Sequence, residues 1–101
     1  MIRIGSTPTI TLELDGDVNL LQAEHVYVTL HNGATDVVKS DDDMTIGQTE
    51  ISFDLTQEES LALKFRWTEI QVNWTYADGS RGETEIATVE MDPTLVPEVL
   101  T

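Results

Sequence analysis

From Thr9 to Leu14 the chain alternates: Ile10, Leu12 and Leu14 against Thr9, Thr11 and Glu13. A period of two is the mark of a strand with one face buried. The same pattern returns from His25 to His31, where Val26, Val28 and Leu30 point one way and His25, Tyr27, Thr29 and His31 the other. Glu50 to Leu55 repeats it with Ile51, Phe53 and Leu55 inward, and Thr68 to Tyr76 with Ile70, Val72, Trp74 and Tyr76 on one face. Ala34 to Ser40 is a less regular strand with Val37 and Val38 adjacent; Met44 to Ile46 is a short one, and Thr84 to Met91 is the last. About seven short strands at regular spacing predict an all-β sandwich.

The connections carry their own signals. Asp15-Gly16-Asp17 and Gly47-Gln48 turn the chain, and Asp78-Gly79 offers a tight turn. Asn32-Gly33 predicts a two-residue hairpin of type I′, which needs φ > 0 at both central residues. Val18 to Glu24 is open between a short helical turn and an irregular crossing. Asp41-Asp42-Asp43 reads as a solvated loop. At Thr56-Gln57-Glu58-Glu59 the alternation breaks into a capping box, followed by Leu61 and Phe65 at helical spacing, so one or two helical turns join two late strands. After Met91, residues 92–101 form an apolar tail in which Pro93 and Pro97 exclude a regular helix or a central strand. The expected organisation is a sandwich over residues 1–91 with a tail over 92–101.

Composition changes the picture in two ways. The chain has 101 residues with 19 acidic and 5 basic, a formal charge of −14. That field repels phosphate backbones and anionic lipid, so neither nucleic acid nor membrane is an expected partner. There is no cysteine, hence no disulfide and no thiolate site. No apolar run has the length of a membrane span, and the opening residues lack the regions of a signal peptide.

Candidate chemistry is thin. His25 and His31 share a face, but six residues of extended chain separate them by about 20 Å, too far for one ion. Asp15-Gly16-Asp17-Val18-Asn19 starts like a calcium loop, yet Leu20 stands where glycine is needed and Val26 where a bidentate glutamate is needed. Asp41, Asp42 and Asp43 are a weaker calcium candidate, for which hydration is the better reading. Glu58 and Glu59, being adjacent, point apart and cannot act as an acid–base pair. No serine occupies a nucleophile elbow. The expectation is no catalytic residues, no cofactor and no metal. Trp74 reads as core. Trp67 reads as the better candidate for exposure, and with Tyr27 it is the one aromatic pair available to a carbohydrate-binding module.

Four stretches together resemble a family of small proteins encoded in tail modules of phages and prophages of Gram-positive bacteria. They are Gly5-Ser6-Thr7-Pro8-Thr9, Leu55-Thr56-Gln57-Glu58-Glu59-Ser60-Leu61, Glu69-Ile70-Gln71-Val72 and Glu85-Ile86-Ala87-Thr88-Val89, followed by Leu95-Val96 and Val99-Leu100. The N-terminal domains of some baseplate upper proteins look similar. Pro97 stands where family tails often carry glycine, and Val18 to Glu24 matches poorly. The resemblance implies an immunoglobulin-like sandwich acting without catalysis in a virion tail or baseplate. Its implied places are the host bacterial cytoplasm during assembly and then the particle. Other virion proteins, or further copies of the chain, are the expected partners, met through Leu95, Val96, Val99 and Leu100. A carbohydrate-binding or adhesion-type sandwich is the alternative.

Overall fold

The computed structural model describes residues 2–14 and 18–94, and the expected contact residues Leu95, Val96, Val99 and Leu100 lie outside them, as do Asp15, Gly16 and Asp17. The chain is predominantly β. In order it forms β1 (Ile2–Arg3), β2 (Thr9–Glu13), β3 (His25–Asn32), β4 (Thr35–Ser40), β5 (Thr45–Ile46), β6 (Glu50–Asp54), α1 (Gln57–Ala62), β7 (Trp67–Thr75), β8 (Arg81–Glu83) and β9 (Ala87–Asp92). The larger sheet runs β1-β9-β7-β3-β4, with β8 also on β7; the smaller runs β2-β6-β5. All pairs are antiparallel except β1 with β9.

The inward sets are those the alternation picks out. Val26, Val28, Leu30, Ile70, Val72 and Trp74 of the larger sheet join Ile51, Phe53 and Leu55 in one core, with Ile10 and Leu12 packed against it. Two more strands appear than the pattern suggests. One is β1, too short to show a period. The other arises because the last strand is split. Between Ile70↔Ala87 and Asn73↔Glu83, β7 has two residues, Gln71 and Val72, while the returning chain has three, Thr84, Glu85 and Ile86. The extra residue is a β-bulge. Its broken ladder is repaired by side chains: Val72 N–H donates to Thr84 Oγ1 at 3.0 Å, and Gln71 Nε2 donates to the Thr84 carbonyl at 2.9 Å.

Val18 to Glu24 resolves into a helical turn at Leu20–Gln22, capped by Asn19 and anchored by buried Leu20. Asp41–Asp43 is also a turn of 3-10 helix rather than an open loop. The Ser40 amide and hydroxyl both donate to the Asp43 carboxylate, and those bonds, the backbone one foremost, hold its pKa below the usual carboxylate range.

The capping box on α1 forms as expected: Glu59 N–H donates to Thr56 Oγ1 at 3.1 Å, and Thr56 N–H to Glu59 Oε1 at 2.9 Å. Glu59 has a second partner, Lys39 on β4, whose Nζ stands 2.8 Å away. Lys39 pairs with Val28 on the inward face. Its stem covers apolar surface while its ammonium reaches the helix start. Burial pushes the Glu59 carboxyl up, but the bonds from Lys39 and Thr56 outweigh it, and its pKa lies below the ordinary value. A lowered folded pKa means this stabilisation is complete above the unfolded carboxylate pKa and is lost as pH falls through the folded one. Thr56→Ala should cost about 1 kcal/mol in urea unfolding at neutral pH, and Glu59→Gln should flatten the acid limb of melting temperature against pH. A Thr56→Ala protein of unchanged midpoint would mean the cap contributes nothing.

Candidate functional site: an aromatic corner pinned by Asn32

The Asn32-Gly33 turn sits one residue later than its sequence suggests. Asn32 pairs with Thr35, so the central residues are Gly33 and Ala34. Among the described residues only glycines have positive φ, Gly33 at +61°. A glycine first and an ordinary residue second is the type II′ arrangement. Asn32 therefore stays in β3, with its side chain directed inward and almost wholly buried.

The reason lies across the sheet. The β3–β7 ladder ends at His31↔Glu69, and Asn32 stands in register with Thr68 just past that end. Its amide takes over from the backbone. Nδ2 donates to Thr68 Oγ1 at 2.9 Å, to the Phe65 carbonyl at 3.0 Å and to the Trp67 carbonyl at 3.3 Å, while Oδ1 accepts from Phe65 N–H at 2.9 Å. One buried side chain thus clamps the segment that leads from α1 into β7.

That segment presents Phe65, Arg66 and Trp67 outward. Phe65 is 64% exposed and Trp67 52%. Phe65 does not continue the helical face with Leu61: α1 ends at Ala62, and Leu63 is the residue that turns into the core. The Phe65 ring instead lies over Gly33, where a Cβ would collide with it. Gly33 is required twice, for its φ and for this contact. The Arg66 guanidinium stands 5.4 Å from the centre of the Trp67 ring and binds Glu90 of β9 at 3.0 Å. The Arg66 carbonyl accepts from Met91 N–H at 2.7 Å, tying the corner to the larger sheet a second time. Trp, Phe and Arg at one rigid, exposed place are the side chains that dominate protein contact energies.

The other candidates stay apart. Tyr27 is in register with Asn73, six residues along β7 from Trp67 and so about 20 Å from it. These two aromatics do not share a platform. His31 pairs with Asp36, whose hydrogen bond raises the imidazole pKa. His25 is 3.6 Å from Asp41. Among the described residues no three His, Cys, Asp or Glu converge as metal ligands, and no helix is long and apolar enough to cross a membrane. Trp74 is buried as its position predicts, 6% exposed, its Nε1 donating to the Tyr76 hydroxyl at 3.1 Å. Sequence reasoning missed Asn32 and Phe65. An Asn-Gly pair signals a turn, and nothing local distinguishes an asparagine that makes the turn from one that braces it.

The charge of −14 permits a separate expectation. If it acts only through self-repulsion, moderate salt should raise the melting temperature, sodium and calcium alike at equal ionic strength. A saturable extra gain in calcium would place an ion at Asp41, Asp42 and Asp43.

The fold is that of an all-β domain of two sheets, with an exposed aromatic corner at Phe65 and Trp67. No protein-family model, curated protein or solved structure matches the chain.

Proposed function

We propose that the chain is an immunoglobulin-like sandwich that works by protein–protein contact, as a non-enzymatic component of a phage or prophage tail or baseplate. The strand order supports the architecture. The smaller sheet, β2-β6-β5, corresponds to strands B, E and D of that scheme. The larger, β4-β3-β7-β9, corresponds to C′, C, F and G, with β1 running parallel to β9 as an edge. The resemblance to tail-module proteins supports the setting.

The observation that carries the contact function is the Asn32 clamp. It spends a fully bonded buried amide on a segment whose outward side chains touch little of the core. A rigid Phe-Arg-Trp corner loses little side-chain and loop entropy when a partner docks. The experiment is to induce a host that carries the gene, purify the particles and quantify the chain by mass spectrometry, as wild type and as Trp67→Ala. The wild-type chain should be in the particles and the variant depleted, although both melt alike. Particles without the wild-type chain would remove the virion role. Equal incorporation of the variant would remove the corner from the contact.

A further inference from the structure

An apolar groove of about 450 Å³ opens between the sheets, with Ile70, Val72 and Trp74 as its floor, Leu12 and Leu14 on one bank, and Glu83, Thr84 and Glu85 on the other. It exists because β2 ends the smaller sheet with nothing beside it among the described residues. The ladder shows which backbone groups of β2 point away from β6. Leu14 N–H donates to the Thr49 carbonyl and Leu55 N–H to the Pro8 carbonyl, so even-numbered residues of β2 face β6. The amides and carbonyls of Thr9, Thr11 and Glu13 therefore face the open side. The bulge shapes the far bank: it places Glu83, Thr84 and Glu85 at the rim and leaves small Ala87 opposite Ile70.

We propose that this groove takes an extended, alternately basic and apolar segment of another protein as a strand beside β2. Backbone pairing would satisfy Thr9, Thr11 and Glu13, and every second side chain would enter between the sheets onto Leu12, Leu14, Val72 and Trp74. This is strand addition at an exposed edge, with the pocket reading alternate side chains. Charge selects the occupant. Glu13 lies directly across from Glu50 on the outer face, a like-charged pair that weakens the sheet. The ion pairs of Arg3, Lys39, Arg66 and Arg81 reach Asp92, Glu59, Glu90 and Glu83, so none relieves Glu13, Glu50 or Glu85. A lysine or arginine on the outer face of an added strand would stand beside Glu13. A second copy of this acidic chain would bring more carboxylates to the same place.

The probe is a blocked peptide of about six residues, a typical strand length, with lysine and valine in alternation. Its controls are the same peptide with glutamate for lysine and one N-methylated at alternate amides. On the full chain, amide exchange at Thr9, Thr11 and Glu13 should slow by about tenfold or more at saturation. In a Trp67→Phe background, Trp74 emission should shift. The glutamate and N-methylated peptides should do neither, and Glu13→Gln with Glu50→Gln should weaken binding and its salt dependence while leaving the fold melting cooperatively. Three results overturn the proposal. Exchange at the edge unaffected by millimolar lysine–valine peptide would show that the edge does not pair. Protection already present in the free protein and lost on dilution, with dimers in sedimentation, would give the groove to a second copy. Protection that survives dilution but disappears when the chain is stopped after Thr94 would give it to the chain's own terminal residues.

Discussion

Trp74→Ala should destabilise the domain by about 3–5 kcal/mol, the range for removing a large buried aromatic. Against a total of roughly 5–15 kcal/mol for a domain of this size, the variant should be marginal or unfolded at room temperature. The indole is enclosed by more than the hydrophobic face it continues. Gly82 is its cross-strand partner on β8, and a Cβ there would run into the ring. The ring therefore lies flat across the backbone of the hairpin, with its N–H on Tyr76. Trp74→Phe should lose part of this, and Gly82→Val should be damaging from the opposite side by overpacking, about 1–3 kcal/mol. The measurement is urea unfolding of each variant. With Trp67 replaced by Phe, the remaining emission should be that of an apolar site in the native protein and shift to the red on denaturation. A Trp74→Ala chain with wild-type stability would mean that the sheets do not depend on this contact.

Asn32→Ala should cost about 3 kcal/mol, a large loss for one polar side chain. Its removal leaves the Phe65 amide, the Phe65 carbonyl and the Thr68 hydroxyl without the partner they share, and buried groups left unpaired cost about 1–3 kcal/mol each before relaxation or water entry. Asn32→Asp should fare little better. A carboxylate can accept from Phe65 N–H, but it has no N–H to give and would face the carbonyls of Phe65 and Trp67. The distinguishing readout is local. In Asn32→Ala the amides of Phe65 and Trp67 should exchange far faster than those at the centre of the β3–β7 ladder, such as Thr29 and Gln71. Uniform loss of protection would mean the clamp serves the whole sheet instead of the corner.

The strands and their inward faces are legible because burial on one side of a sheet imposes a period of two, and β2, β3, β6 and β7 obey it residue by residue. The α1 cap is legible for a similar reason: Thr56 and Glu59 are three residues apart and satisfy each other without help from elsewhere. Even the burial of Trp74 follows from its phase with Ile70 and Val72. Local reading fails where a distant partner decides. At the bulge, Thr84 to Ile86, the sequence shows only that Ile86 is out of phase with Val89 and Met91; what stabilises the extra residue is distant, Gln71 and the backbone of Val72. Asn32 reads locally as a turn residue because its real partners, Phe65 to Thr68, lie more than thirty positions away.

The sequence by itself determined an acidic, cysteine-free, predominantly β chain with alternating cores and a capped helical turn, because those features arise from contacts between near neighbours or from one face seeking burial. The tertiary structure alone decided which strand lacks a neighbour, and therefore where the groove beside β2 opens. It also decided which aromatics stand out: Phe65 left the face it would share with Leu61 because the helix stops at Ala62 and Asn32 holds the backbone from Phe65 to Thr68. Both are consequences of sheet order and ladder length, which no local period encodes. A strand's alternation says which side is buried, but not what lies at its edge.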